Sequence, residues 1–201
     1  VCLKSFLHCW NQTPQLVELN ESVLFDTNGV IKGQINHIAG SGSILLETVG
    51  YYFVIIKSYH LFAAQVAIFL NGTKVQGTVV GQAAPATILI DMCIICVNIA
   101  DLLPNVNSST GVAAVLELRN HISYITPITL DGRKGDGADV EQVNASAIVI
   151  QLCDVVDNSG LLLAAATIAA SAAPKAAIPA PKAAPKAAAP PAKGKPLLGK
   201  K

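Results

Sequence analysis

Apolar residues in this chain come in short runs that turn residues keep interrupting. The runs cover residues 23–25, 44–46, 51–56, 66–70, 87–97, 112–118, 124–130 and 147–152. Between them stand Asn28-Gly29, Gly40-Ser41-Gly42, Asn71-Gly72, Asn107-Ser108-Ser109 and Asp131-Gly132. Asn-Gly supplies the positive backbone angles of a tight hairpin turn without steric cost. Runs this short, at this spacing, predict an all-β sandwich or barrel. Residues 66–75 read as strand, hairpin turn and strand. The run 87–97 fits one long buried strand, two strands or a helix. Asp91 inside it needs a partner or an edge position, because an unpaired buried carboxylate is expensive.

The run that begins Gly50-Tyr51-Tyr52-Phe53 and continues Val54-Ile55-Ile56 is apolar at odd and even positions alike. A strand with one wet face alternates; a strand apolar on both sides is covered on both sides. The second cover predicted here is a neighbouring subunit. Composition agrees, with 52% apolar and only 13% charged residues. That charge is about half the usual share, and the apolar surface it leaves in water marks an interface.

The chain divides by texture into an irregular lead-in (1–20), a β body (21–153), an Ala-rich linker with room for a short helix (154–173) and a tail (174–201). The tail is almost wholly Ala, Pro, Lys and Gly, so it is expected to be extended and to form no core. Lys175, Lys182, Lys186, Lys193, Lys195, Lys200 and Lys201 carry its charge, while residues 161–201 hold no Asp or Glu. The net charge of +1 therefore hides an acidic body and a basic tail. Such a tail can bind an anionic polymer in a salt-sensitive way; a soluble spacer or anchor is the plainer alternative. No aromatic residue interleaves the lysines, so base stacking is not on offer. Residues 86–103 carry Asp91, Asn98 and Asp101, and 161–170 is too short to span, so no membrane segment is expected. Residues 1–10 show no signal-peptide pattern.

Little in the chain points to catalysis. The histidines His8, His37, His60 and His121 form no paired motif, and no nucleophile elbow or phosphate-binding loop is present. No cofactor is expected. Asp131, Asp136 and Asp139 share a Gly-rich loop that could hold Ca²⁺, but Arg133 and Lys134 could neutralise the same carboxylates, and a solvated loop is favoured. Cys2, Cys9, Cys93, Cys96 and Cys153 are odd in number. Cys93 and Cys96 have metal or redox spacing, yet on a strand they point to opposite faces; buried packing cysteines are favoured over an interchain disulfide or a metal site. Asn71 and Asn107 are the favoured glycosylation acceptors among four formal ones, the others being Asn20 and Asn144.

Gly50-Tyr51-Tyr52-Phe53 and Phe69-Leu70-Asn71-Gly72-Thr73 resemble the C1q/TNF-like jelly roll. Val23-Leu24-Phe25-Asp26-Thr27-Asn28-Gly29 and Val143-Asn144-Ala145-Ser146 extend that resemblance over roughly residues 21–152. It is nearest to the bacterial branch at the tips of collagen-like exosporium, or spore-surface, glycoproteins. The resemblance implies two sheets of about ten antiparallel strands in all, assembled as a compact homotrimer. It places Tyr52, Val54, Phe69, Ile148 and Ile150 at buried subunit contacts. The function it implies is non-enzymatic: a structural or adhesive trimeric head of a surface filament or layer, on an extracellular or particle surface. No collagen-like Gly-X-Y repeat precedes it here. Pro179-Ala180-Pro181-Lys182 resembles tracts in structural proteins of large DNA viruses, so a virion surface or fibre head stays open. A secreted receptor-binding ligand is a further alternative, and an enzyme acting on glycans the least favoured.

Overall fold

A computed structural model describes residues 3–83, 87–123, 126–131 and 142–154. The strands run β1 (Phe6–Asn11), β2 (Gln15–Val17), β3 (Thr27–Lys32), β4 (Ile35–His37) and β5 (Ile44–Leu46). They continue as β6 (Gly50–His60), β7 (Ala64–Leu70), β8 (Thr73–Lys74), β9 (Val80–Gln82) and β10 (Thr87–Val97). After a single 3₁₀ turn at Ile99–Asp101 come β11 (Leu103–Pro104), β12 (Val112–Asn120), β13 (Ile128–Leu130) and β14 (Ala145–Cys153).

Two antiparallel sheets hold most of these. The first has the order β10-β6-β14-β1-β3, the second β4-β5-β12-β7-β8, with β9 also on β7 and β11 on β12. A small third sheet pairs β13 with β2. Leu7, Tyr52, Val54 and Val149 of the first sheet meet Ile35, Leu46, Ile68, Leu116 and Leu118 of the second in one continuous core. Burial of that shared face is the main stabilising term of such a sandwich.

Local turn chemistry places the hairpin at residues 66–75 as expected: Asn71 and Gly72 join β7 to β8 at φ 49° and 75°. The run 87–97 is one strand. Asp91 sits on it at the sheet edge: Oδ1 accepts the Met92 amide at 2.8 Å, while burial raises the carboxyl pKa.

Two expectations need correction. The lead-in contains β1, which lies inside the first sheet between β14 and β3, so the sandwich begins well before residue 21. Asn28-Gly29 is not a turn but the middle of β3. A Cβ there would stand 2.6 Å from Trp10 Cζ3 and 3.1 Å from the His8 carbonyl oxygen, so glycine leaves room for the ring. The run 124–130 contributes only Ile128–Leu130 as described strand, and the Ala-rich segment after residue 154 lies outside the described residues.

Candidate functional site

Backbone pairing in the first sheet lines up side chains in rows across its strands. One row reads Ile94, Phe53, Ile150, Phe6 over β10, β6, β14 and β1. The next reads Met92, Ile55, Ile148, His8, and a third Ile90, Lys57, Ser146, Trp10. Ile88 beside Tyr59 extends the grid, and Cys96, Tyr51 and Cys153 close its other end. Alternation sets which way these point. Tyr52, Val54 and Ile56 turn into the core, so their neighbours turn away from it.

The outward grid is therefore almost wholly apolar, with Lys57 its one charged member. Ile88, Ile90, Met92 and Ile94 remain 50%, 57%, 62% and 61% exposed. Strands lie about 4.8 Å apart and alternate residues about 6.8 Å along them, so three rows over four strands cover roughly 400 Å² in plan. A mainly apolar patch of that size is a candidate interaction surface, since the largest such patch on a protein is often functional.

The five residues assigned to subunit contacts fall in three different places. Ile148 and Ile150 lie in the grid. Tyr52 and Val54 do not: both are 0% exposed within one chain, so neither has surface left to offer a partner. The Tyr52 hydroxyl donates to the Thr48 carbonyl at 2.7 Å, and burial pushes its pKa up to about 12. Phe69 faces outward from the second sheet, under the Arg119 guanidinium at 4.9 Å and edge-on to His121. It is covered by its own chain. A strand apolar on both faces hides which of its two sets turns inward; here Tyr52 turns into the core and Tyr51 faces outward. The exposed residues of β10 were missed because Ile88 to Cys96 reads as one apolar block; the small breaks at Asp91 and Cys93 mark the inward set.

Other expected sites separate in the same way. Asn71 is tied down: its amide nitrogen donates to the Asp101 carbonyl and its oxygen accepts from the Val115 amide, both at 2.8 Å. It presents no free amide for a glycan. Asn107 is exposed at a turn, with its carbonyl rather than its side chain engaged by Asn36. Asp131 follows β13 and is half-buried, whereas Asp136, Asp139 and the seven tail lysines lie outside the described residues. Cys9 is buried, with its thiol pushed up to about 12. Cys93 points inward, Cys96 outward, and Cys153 is exposed, so packing explains Cys9 but not all of them. Among the described residues no three His, Cys, Asp or Glu side chains cluster as a metal site. A Ser58–His60 pair at 2.7 Å lies wholly inside the core, out of reach of any substrate.

No protein-family model matches this chain, and no curated protein does. Solved structures do. The globular domain of zebrafish complement 1qA superposes with a TM-score of 0.53 at 4% identity, over 76% of this chain and all of that one. The Eiger TNF of S. frugiperda superposes with a TM-score of 0.50 at 9% identity, over 77% of this chain and 94% of that one. The fold is a C1q/TNF-like jelly roll.

Proposed function

We propose that the chain is a self-associating head domain at an extracellular or particle surface, assembled as a trimer through the outward face of the five-stranded sheet. The apolar grid on that face carries the proposal. Full burial of an Ile or Met side chain stabilises by about 1.5–3 kcal/mol, so each half-exposed member of β10 has about 1 kcal/mol left to gain. Four such residues, with Phe53, Ile55, Ile148 and Ile150 beneath and beside them, form the centre of an obligate-type contact. The fold supports the trimer only by analogy, since function is not set by fold. The role we read for it is structural or adhesive, by analogy of fold.

The ends of the body bear on the tail. Lys4 donates to Asp154 at 2.6 Å, so the chain enters and leaves the sandwich together. Both points lie near the Cys96, Tyr51, Cys153 end of the grid. In the proposed trimer the three segments that follow Asp154 set out from one end, so any polyanion binding by their lysines is strengthened by joining three copies.

Light scattering tests the assembly. The intact chain should have the mass of three subunits, insensitive to salt and reductant, and Ile94→Asp should lower that mass to one subunit. Ile94 is exposed in a single chain, so the variant should stay folded by circular dichroism. A monomeric wild type, or an unchanged mass for Ile94→Asp, would refute the interface.

A further inference from the structure

The opposite side of the molecule holds a groove of about 410 Å³ beside Arg119. Its walls come from β2 and from the segment at residues 20–24, with Leu16, Leu24, Asn20 and Glu21 among the lining side chains. The groove is built rather than loosely draped. Glu117 fixes Arg119 through Nε at 3.1 Å and a second contact from Nη2, and itself accepts from Ser22 at 2.8 Å. The Phe69 ring supports the guanidinium from behind. Across the groove the Gln15 side chain clamps residue 24, accepting from the Leu24 amide at 2.9 Å and donating to its carbonyl at 3.0 Å.

Three polar groups of the groove have no hydrogen-bond partner among the described residues. They are Arg119 Nη1, the whole Asn20 side-chain amide, and one oxygen of Glu21, whose other oxygen accepts the Glu18 amide at 3.3 Å. Asn20 is held at φ 66°, a conformation few non-glycine residues adopt, by backbone bonds to Asn120 on both sides. Leu16 and Leu24 stand 66% and 45% exposed next to these groups. The volume is within the range of small-ligand sites, and the lining residues are mostly polar with the two leucines as the apolar part.

We propose that this groove binds one ring of a neutral sugar, such as the terminal residue of a glycan. A hydroxyl donates one hydrogen bond and accepts others, so neighbouring hydroxyls match a donor (Arg119), an acceptor (Glu21) and an amide that does both (Asn20). The C–H face of the ring then covers the two leucines. An acidic sugar meets the Glu21 carboxylate while Arg119 is already neutralised by Glu117. A peptide adding as a strand finds the Leu24 amide and carbonyl taken by Gln15, so the main-chain bonds of that mode are missing. The proposal deepens the surface-head function by naming a ligand class, and it uses the face left open when the apolar grid is covered.

The test is saturation-transfer NMR and titration of the full chain with the methyl glycosides of glucose, galactose and N-acetylglucosamine, and with N-acetylneuraminic acid. At least one neutral glycoside should saturate, and Asn20→Gly and Glu21→Gln should each weaken it at least fivefold with melting unchanged. Glycine accepts the left-handed backbone at residue 20, so the first variant removes the amide without strain. No saturable neutral sugar, a preference for the acidic one, or variants that bind like the wild type would overturn the proposal. Light scattering on the same samples separates the two ideas: sugar binding by a monomer would sustain the groove and remove the trimer.

Discussion

Acid should loosen this protein through His60. The residue ends β6 on its inward side and is 0% exposed. Nε2 lies 2.7 Å from Ser58 Oγ, while Nδ1 is shielded from water and has no hydrogen-bond partner. A proton on Nδ1 would put a charge in the core with nothing to accept it, and burial accordingly pulls the pKa from 6.5 to about 4. Between those values the unfolded chain takes up a proton that the folded chain refuses. The stability His60 contributes is thus complete above pH 6.5 and is lost as pH falls toward 4. At 1.36 kcal/mol per unit the full loss is roughly 3 kcal/mol. Urea unfolding at a series of pH values from 7.5 to 4 should show this fall in the wild type and a shallower one in His60→Gln. Other groups titrate in the same window, among them His37, whose pKa burial also lowers, so the difference between the two curves is the quantity read. Parallel curves would refute the argument, whatever the absolute stability of the variant.

Three further outcomes follow from the same geometry. Gly50→Ala should lower stability by about 1–3 kcal/mol in chemical denaturation, because residue 50 has φ 157° and a Cβ there would stand 2.7 Å from the Cys153 carbonyl. Tyr52→Phe should cost about 1–2 kcal/mol for the hydroxyl bonds to Thr48 while leaving the mass in solution unchanged; a loss of assembly would place Tyr52 at the contact after all. Deleting residues 173–201 should preserve the mass of the body and reduce its retention on a heparin column, and unchanged retention would remove polyanion binding by the tail.

What the sequence showed and what it hid divide along one line. Asn71-Gly72 was legible because a two-residue hairpin is decided by the residues in it. Asn28-Gly29 is the same dipeptide with another purpose: its glycine makes room for Trp10, a partner 19 positions away that no local pattern announces. Strand existence was legible in most runs. The facing of β6 was not, since an alternation of apolar with apolar has no phase. The groove went unnoticed for a related reason. Gln15, Asn20, Glu21 and Arg119 are ordinary polar residues until β12 and the segment at residues 20–24 are brought together by the Ser22–Arg119 bridge.

Polarity is distributed over the two outer faces in a way that a solitary sandwich does not require. The second sheet turns Glu117 and Arg119 outward as a paired, hydrogen-bonded couple beside Ser22 and Ser43. The first sheet does the reverse: it buries Ser58, His60 and Gln151 on its inward side and turns Ile88, Ile90, Met92 and Ile94 toward solvent. Polar groups kept inside are an expense that hydrogen bonds only partly offset, and apolar groups kept outside forgo burial that the fold could have used. Buried polar groups occur in both sheets, His37 and Asn120 belonging to the second, but the exposed apolar rows fall on the first. Those rows find cover if that sheet is a middle layer, with the core on one side and other copies of the chain on the other. The polar face then remains the solvent side of the assembly, where a ligand groove can stay open.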